Sequence, residues 1–244
     1  MGTRVGIVGS TGRMGKLLTE AILGQDATLV GGVGRDGDLA ALAAESDVIV
    51  DFTVAAAVKH HAEVLTACRT PWVLGTTGLS VSDDLTVRDA AATIPVFQAA
   101  NFAPGVNLIL AIAERLAAYL PGDTHDAEIL EMHHRQKVDA PSGTALALGR
   151  AIAQGRGVDL VDVMELGRHG HTGPRAIGNI GFAVLRGGQV VGSHSAIFTS
   201  GAEQIVLAHH ALDRRIFADG ALRAAMWLAN QPPGYYGMRD FLGV

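Results

Sequence analysis

Short apolar runs alternate with stretches of helical periodicity over the first hundred residues. Runs typical of buried strands lie at residues 4–8, 27–33, 47–52, 72–74 and 94–98. Helical patterns lie between them, through residues 17–22 and over 38–44, 54–67 and 83–92, the last with Ser82 as its expected N-cap. This alternation predicts a parallel sheet with right-handed crossover helices, and therefore an α/β domain.

The pattern changes after residue 105. Helical periods continue at 106–120, 142–154 and 219–229, and one strand is expected at 127–132. Residues 178–185, 189–198 and 204–209 look like antiparallel strands joined by glycine-rich turns such as Arg186–Gly188. These elements predict a smaller α+β domain with a mixed or antiparallel sheet. One face of such a sheet typically packs on its own domain, and the other is left for a helix or another subunit.

Composition narrows the class of protein. A length of 244 residues is enough for one large or two small domains, and a net charge of −5 argues against a nucleic-acid partner. No apolar run reaches the roughly 18 residues of a membrane span, so we expect no membrane partner. The single cysteine, Cys68, excludes an intrachain disulfide and is expected to be a small core residue. Since the N-terminus has no signal-type pattern, we expect a cytoplasmic location.

The glycine-rich segment after the first strand is a candidate dinucleotide site. Three glycines with a spacing of three stand between a predicted strand and a predicted helix. In this context the backbone can approach a pyrophosphate, which favours the free N–H groups of the helix start. The candidate cofactor-binding residues here are Gly9, Ser10, Thr11, Gly12, Arg13 and Met14, with Gly15 packing the helix on the strand. The alternative is a tight turn without a ligand; the surrounding alternation favours a Rossmann-like nucleotide domain.

The end of the second strand bears on the choice of cofactor. A dinucleotide site typically has an acid there, which bonds the ribose. Here the position is Gly34, followed by Arg35 and Asp36. Without the acid a 2′-phosphate is not repelled, and Arg35 can pair with it, which favours NADPH. Two alternatives stay open: Arg35 is a solvated loop charge, or Asp36 takes the place of the acid.

Two further strand ends are candidates for the same ligand. Their residues are Gly75, Thr76 and Thr77 after the fourth strand, and Ala99, Ala100, Asn101 and Phe102 after the fifth. Ligands of open α/β sheets bind beyond the carboxyl ends of the strands, where small residues let a nicotinamide and its ribose approach the backbone. Either segment alone is equally well explained as a turn, but the two together on one sheet edge favour a site.

Residues 131–144 carry the densest chemistry of the chain. His133, His134, Arg135 and Lys137 lie within five positions, and residues 139–144 read as a turn that opens a helix. Proton donors and fixed positive charges thus stand beside free backbone N–H groups that favour a carboxylate or a phosphate. The segment suits a small acidic substrate that must accept a proton, and the alternative is a basic surface loop before an ordinary helix cap.

Other histidines give no comparable pattern. We expect them at the surface or on strand faces, and no spacing among them makes a convincing metal site, so no metal is predicted. They are His169, His171, His194, His209 and His210.

The segment Glu131–Ala145 closely resembles the signature E-x-H-H-x-x-K-x-D-A-P-S-G-T-A of the dihydrodipicolinate reductase family. The likeness covers nearly the full chain. It also includes the Gly-x-x-Gly-Arg-Met-Gly start, Asp51–Thr53, Val73–Gly78, Asn101–Phe102, Arg168–Gly173, Ile180–Ala183, Arg186–Gly192 and Phe217–Ala221.

The resemblance implies an NADH- or NADPH-dependent reductase of diaminopimelate and lysine biosynthesis, acting on a cyclic unsaturated dicarboxylate. It implies that His133 is the proton donor and Lys137 a second catalytic cation. His134, Lys137, Gly143 and Thr144 are then the residues that bind the substrate carboxylates. The chemistry agrees, since hydride attack on a conjugated ring builds electron density that a histidine titrating near neutrality can quench. A nearby lysine stabilises the developing negative charge.

The resemblance also implies a domain organisation. The final helix and tail rejoin the first domain, so residues 1–104 and 214–244 form the dinucleotide-binding domain. Residues 105–213 form the substrate-binding and oligomerisation domain, whose sheet builds a homotetramer. Three departures from the family pattern stand out: Gln136 replaces a common histidine, Gly34 replaces a common acid, and the stretch between the second and third strands is short.

Two competing hypotheses follow from the same motifs. One is an NAD(P)-dependent dehydrogenase of another small amino or dicarboxylic acid. The other is a nucleotide-sensing binding protein without turnover, although the pair of His133 and Lys137 argues against it, since a sensor has no need of proton donors.

Overall fold

The computed structural model describes residues 2–244. The chain forms two compact units, one made of the chain through Pro104 together with Arg215–Val244 and the other of Gly105–Arg214. Each unit has its own sheet and its own apolar core. No described helix is long and apolar enough to cross a membrane.

The elements follow one another in nearly the predicted order. The strands are β1 (Thr3–Val8), β2 (Ala27–Val33), β3 (Val48–Asp51), β4 (Trp72–Leu74), β5 (Pro95–Gln98), β6 (Asp126–His133), β7 (Met164–Leu166), β8 (Ile180–Arg186), β9 (Gly192–Thr199), β10 (Gln204–Ala211) and β11 (Gly234–Tyr236). The α-helices are α1 (Arg13–Ala21), α2 (Leu39–Glu45), α3 (Val58–Cys68), α4 (Val81–Ala91), α5 (Pro104–Tyr119), α6 (Gly143–Gly155), α7 (Leu160–Val163), α8 (Arg215–Leu228) and α9 (Met238–Leu242).

The first unit is a parallel six-stranded sheet in the order β11-β5-β4-β3-β1-β2. Its strands are apolar on both faces because both faces are covered. Val48 and Val50 pack in the cluster that contains α1 and α8, whereas Ile49 between them packs in the cluster of α2, α3 and α4. The predicted Rossmann-like α/β fold is confirmed. Since β1 lies between β2 and β3, the strand order reverses there, and ligands of such sheets bind at this reversal.

The second unit is a mixed sheet in the order β10-β9-β6-β8-β7. The predicted mixed character is confirmed, but the expected antiparallel pairing of 178–185 with 189–198 is wrong. Strand β6 lies between β8 and β9, parallel to the first and antiparallel to the second. The turn at Arg186–Gly188 therefore spans the end of β6, where the Gly187 N–H donates to the carbonyl of His133 at 2.9 Å. Helices α5 and α6 cover one face of this sheet.

Several boundaries differ from the prediction for local reasons. The N-cap of α4 is Ser80 and not Ser82, because Ser80 and Asp83 form a reciprocal capping box. Helix α8 begins at Arg215, four residues before the predicted start. Strands β7 and β11 were not predicted; each has only three residues, too few to show a period. Cys68 is half-buried at the end of α3, against the core rather than within it.

Candidate active site

Strand β6 carries the centre of the site on its inner face. Its burial alternates, so that Ala127, Ile129, Glu131 and His133 point to the same covered side. Glu131 is 1% exposed and His133 is 8% exposed. On this face the apolar residues Ala127 and Ile129 are followed by two ionisable residues, Glu131 and His133. Because both ionisable side chains are buried, each needs a hydrogen-bonding or charged partner.

Glu131 is fully paired. Its Oε1 accepts hydrogen bonds from the Ser142 backbone N–H and from Nη2 of Arg186, both at 3.0 Å. Its Oε2 accepts from Nη1 of Arg186 at 3.0 Å and lies 2.5 Å from Nδ1 of His133. Burial raises the pKa of the Glu131 carboxyl, but the hydrogen bonds from Arg186, His133 and Ser142 outweigh burial and hold that pKa below its usual range. The group is therefore an ionised acceptor.

The imidazole of His133 is surrounded on three sides. Its ring centroid lies 4.9 Å from that of His194 on β9, edge to face, and a Cβ added at Gly192 would lie 3.1 Å from its Nε2. Burial lowers the pKa of His133 below its ordinary value; Glu131 opposes this shift, whereas Lys137 and Arg186 add to it. Glycine at 192 thus keeps Nε2 of the ring uncrowded.

The start of α6 meets this group of residues. Ser142 is the N-cap, and its Oγ accepts from the Ala145 N–H at 3.2 Å and lies 3.0 Å from Nε2 of His194. Gly143 and Thr144 form the first turn, with Gly143 exposed and Thr144 half-buried. The bond from Ser142 N–H to Glu131 fixes the helix start beside the strand that carries His133. The N-terminal N–H groups of a 13-residue helix therefore lie next to the candidate proton donor.

Lys137 and His134 lie in the loop after β6. The Lys137 ammonium pairs with Asp139 at 2.8 Å, and Asp139 is half-exposed, so the pair is a weak one that an anion can replace. The hydrogen bond from Lys137 lowers the pKa of the Asp139 carboxyl. Nη2 of Arg214 donates to Nε2 of His134 at 3.1 Å, and Nδ1 of His134 is buried with no partner among residues 2–244.

His194 lies on a strand face, which is one of the two positions expected for it, but this face is the covered one. It is 4% exposed on the inner face of β9. Burial, and then the charge of His133, lowers its pKa to about 4. Its ring is therefore neutral at neutral pH and adds no positive charge beside His133.

Among residues 2–244, the potential metal-binding atoms of Glu131, His133 and His194 lie within 4.8 Å of one another. The donor set does not fit a cation, because both Glu131 oxygens are already taken and the Arg186 guanidinium lies against them. We interpret the group as a hydrogen-bond network.

The glycine-rich loop of the first unit is built as a tight cradle. Gly9 has φ of +81°, a left-handed conformation that favours glycine, and a Cβ at Gly15 would overlap the Gly9 carbonyl. Gly12 is the N-cap of α1 and offers no side-chain cap, and the first turn of α1 holds no acid. The N–H groups of this turn are thus left for an anion, which is what a pyrophosphate needs. Ser10 and Met14 are half-buried beside the loop, and Thr11 and Arg13 are exposed.

Other predicted cofactor residues lie at the ends of neighbouring strands. Gly34 and Arg35 follow β2 and are exposed. Gly75 follows β4, and a Cβ added at Gly75 would overlap the Phe52 ring. The hydroxyl of Thr76 accepts a hydrogen bond from the Thr53 N–H at 3.3 Å. Thr77 is exposed beyond it.

The segment after β5 is divided between surface and core. Ala100 is exposed, Ala99 is half-buried, and Asn101 Oδ1 accepts from the Ala103 N–H at 2.9 Å. The ring of Phe102 is buried, with its centroid 5.4 Å from that of Phe52 and 5.8 Å from that of Phe97. Only the backbone of Phe102 is therefore suited to a ligand contact.

Sequence reasoning missed Glu131, Arg186, His194 and Gly192 as functional candidates. A signal existed for Glu131, since an acid interrupts an apolar row on a predicted strand. Arg186 and His194 gave no local signal, because they are brought to His133 by strand pairing over more than fifty residues of chain.

The chain matches two family models. The model described as dihydrodipicolinate reductase, N-terminus, matches residues 3–102, and the one described as dihydrodipicolinate reductase, C-terminus, matches residues 105–242.

Two curated relatives show the same likeness over their full length. The 4-hydroxy-tetrahydrodipicolinate reductase of Acidiphilium cryptum (strain JF-5) is 70% identical over 241 residues, covering 99% of this chain and 98% of the relative. That of Gluconacetobacter diazotrophicus is 56% identical over 251 residues, covering 100% and 98%.

Solved structures agree in fold. Dipicolinate-bound dihydrodipicolinate reductase from Paenisporosarcina sp. TG-14 superposes with a TM-score of 0.78 at 24% identity, covering 98% of this chain and 99% of that one. A probable dehydrogenase from Thermotoga maritima has a TM-score of 0.61 at 11% identity, with 98% and 92% covered.

Proposed function

We propose that His133 and Lys137 are the catalytic residues of this chain, which belongs to the dihydrodipicolinate reductase family. The chain is an NAD(P)H-dependent 4-hydroxy-tetrahydrodipicolinate reductase of diaminopimelate and lysine biosynthesis. The resemblance found in the sequence is thereby confirmed, and the sensing hypothesis, which has no turnover, is excluded. The residue roles are inferred here from the geometry of the second unit.

One observation carries the proposed roles: the hydrogen bond from Ser142 N–H to Glu131 joins the start of α6 to the strand that bears His133. A group able to give a proton and a set of N–H groups that attract a carboxylate are thereby neighbours. The substrate has both needs, since it is a cyclic dicarboxylate that gains a proton on reduction. His133 is the proton donor, and Nε2 is the atom that gives the proton, because Nδ1 is engaged by Glu131.

The substrate carboxylates are bound by residues around this donor. One carboxylate lies at the N–H groups of Gly143 and Thr144, in the first turn of α6. The other is bound by Lys137 and His134, and Lys137 exchanges its exposed partner Asp139 for the substrate. The Lys137 ammonium also stabilises the negative charge that grows on the ring during reduction.

The cofactor is held by the first unit. When bound, the reduced nicotinamide supplies the hydride that the reaction consumes. Residues Gly9 to Met14 bind the pyrophosphate through the uncapped start of α1. Gly75 to Thr77 and Ala99 to Phe102 face the nicotinamide half at the ends of β4 and β5. The close packing of the loop supports this assignment, since a side chain at Gly9 or Gly15 would clash with neighbouring backbone atoms and fill the space proposed for the pyrophosphate.

We propose that the enzyme uses NADPH and accepts NADH. Gly34 removes the acid that would repel a 2′-phosphate, and Arg35 is exposed next to it. Its guanidinium is therefore available to a phosphate, which it binds with two parallel hydrogen bonds.

A homotetramer in the cytoplasm completes the proposal. The face of the second sheet opposite α5 and α6 carries Leu130, Leu185 and Val206, which are 37%, 48% and 50% exposed. An apolar sheet face of this kind suits a second copy of the chain. The single cysteine is compatible with a reducing compartment.

The test is a coupled assay that supplies the ring substrate with NADPH or NADH. His133→Gln and Lys137→Met are each expected to lower kcat by about a hundredfold or more, with the affinity for NADPH unchanged. His171→Gln, at an exposed loop position, is the control and is expected to keep full activity. Full activity of His133→Gln, or equal losses of turnover and NADPH binding, would rule out the donor role.

A further inference from the structure

We infer that Glu131, anchored by Arg186, is the positioning residue that fixes the tautomer of His133 and stabilises its protonated form. The inference deepens the proposed function, because it rests on His133 as the proton donor. Glu131 is 1% exposed, and both of its oxygens are engaged by His133, Arg186 and the Ser142 N–H, so we assign it no direct contact with the substrate. Its effect on the proton transfer is exerted through His133.

The hydrogen-bond pattern fixes where the proton sits. An ionised carboxylate only accepts hydrogen bonds, so Nδ1 of His133 must be the donor in its 2.5 Å contact with Oε2 of Glu131. In neutral His133 the proton is therefore on Nδ1, and Nε2 has a free lone pair. A second proton can add only at Nε2, and this is the proton that passes to the substrate. When it leaves, the electron pair of the N–H bond stays on Nε2 and the Nδ1–H remains bonded to Glu131.

The carboxylate cannot rotate away from this position. Arg186 holds both of its oxygens, and the Ser142 N–H holds Oε1 a second time. The guanidinium is itself fixed by bonds at 2.7 Å to the carbonyls of Leu185 and Asp139. A bidentate pair with both partners anchored sets the direction of the Glu131 oxygens, and so the direction of the His133 ring.

The charges around His133 give Glu131 its second role. The groups that face the ring are Glu131 on its own strand, Arg186 on β8, His194 on β9 and Lys137 in the following loop. His194 is neutral at neutral pH, and Arg186 and Lys137 are cations. The carboxylate of Glu131 is thus the negative charge in this set that stabilises the imidazolium. Without it, two cations face a group that must carry a proton.

The first test needs no substitution in the network. In the wild-type protein with ¹⁵N-labelled histidine, the ring signals of His133 are assigned by their loss in His133→Gln. The neutral ring is expected to carry its proton on Nδ1, with Nε2 unprotonated. A neutral ring protonated at Nε2 would overturn the inference, whatever the variants show.

The second test removes the charge of Glu131 and keeps its shape. In Glu131→Gln the pKa of His133 is expected to fall by about one unit or more, since an opposite charge in contact is lost. Because the protonated ring is the active donor, the rate falls as the pH rises through this pKa. The alkaline limb of kcat should therefore move to lower pH in the variant, with a smaller change in KM for the substrate.

A matched control is Glu203→Gln. Glu203 also faces a histidine, His125, but it is 60% exposed and precedes β10 at the end of the sheet remote from His133. Its pH profile should follow that of the wild type. An unshifted titration of His133 in a folded Glu131→Gln protein would refute the inference while the donor role stands. Full activity of His133→Gln would instead refute the donor role itself.

Discussion

The guanidinium of Arg186 spans the carboxylate of Glu131, with one nitrogen 3.0 Å from each oxygen. Arg186 is the last residue of β8 and pairs in register with His133, so the strand that carries the proposed proton donor and the strand that anchors its partner lie side by side. Within this pair the Glu131 side chain is buried, whereas the Arg186 side chain is 20% exposed. A buried carboxylate with an incomplete set of partners is costly, so this geometry bears on both stability and activity.

Arg186→Lys tests the geometry with the charge kept. A lysine has a single nitrogen and cannot hold both carboxylate oxygens, so the direction of Glu131 is lost although its charge remains paired. We expect kcat to fall about tenfold and the free energy of unfolding to fall by about 1–3 kcal/mol. Steady-state kinetics and urea unfolding measure the two effects.

Arg168→Lys serves as the comparison for that change. Arg168 also pairs with two glutamates, Glu128 and Glu165, but it is more exposed than Arg186. Its substitution should leave kcat unchanged and alter stability by less than about 1 kcal/mol. Wild-type turnover in Arg186→Lys would show that the bidentate contact has no part in catalysis.

Gly192→Ala tests the space around Nε2 of His133, the atom that we propose as the proton donor. The added Cβ would lie 3.1 Å from Nε2 of His133, closer than a relaxed contact, and 3.5 Å from a carbon of His194, an ordinary contact. We expect kcat to fall several-fold through displacement of the ring, while NADPH affinity stays the same. Gly201→Ala is the control, since a Cβ there meets nothing within 4 Å. Equal activity of the two variants would mean that the ring tolerates the contact.

Much of the first unit was predictable because its signal is local. Strands β2 and β4 are short apolar runs in the sequence, and their bounds match the predicted ones. Strand β11 has only Gly234 to Tyr236, and it joins the sheet at its edge beside β5. Neither its length nor its composition distinguishes it from a loop, so only the tertiary pairing defines it.

The candidate site likewise has residues that a local motif reveals and residues that only the tertiary pairing brings together. His133, Lys137 and Ser142 lie within ten positions of one another, so a motif can contain them. Arg186 and His194 reach His133 because β8 and β9 flank β6, and that order was wrongly predicted as a hairpin. Strand order depends on which distant segments pair, and the alternation of apolar residues within each strand does not encode it.

Burial of His194 makes stability depend on pH. The pKa of His194 lies at about 4 in the folded chain against an ordinary value of 6.5, so between these values the unfolded chain binds a proton that the folded chain does not. The free energy of unfolding should therefore fall as the pH falls from about 6.5 towards 4, by as much as about 3 kcal/mol from this group. His194→Gln cannot titrate and should show a shallower dependence in urea unfolding at pH 7, 6 and 5. An identical slope in both proteins would contradict the assignment.

Asp51→Asn tests the buried acid at the end of β3. Its carboxylate has three partners: Nδ1 of His61 at 2.7 Å, Nε1 of Trp72 at 3.2 Å and the Thr53 hydroxyl at 2.7 Å. An amide accepts through one oxygen only, so at least one donor loses its partner. We expect the free energy of unfolding to fall by about 2–4 kcal/mol. Asp47→Asn, which disrupts the exposed pair with Arg4, should cost less than about 1 kcal/mol, and equal losses would be evidence against the network.

The proposed preference for NADPH can be tested at the end of β2. Gly34 is exposed, its φ lies outside the left-handed region, and a Cβ there would meet only Thr11 Oγ1 at 3.9 Å, so Gly34→Asp fits without strain. The new carboxylate can bond the ribose of NADH and would repel the 2′-phosphate of NADPH. Arg35→Ala removes the guanidinium that we assign to that phosphate. Each change should lower the ratio of kcat/KM for NADPH over NADH by about tenfold, which corresponds to about 1.4 kcal/mol. Arg13→Ala, in the loop that we propose to hold the pyrophosphate, should weaken the binding of both cofactors alike. An unchanged ratio in Arg35→Ala would show that Arg35 is a solvated loop charge.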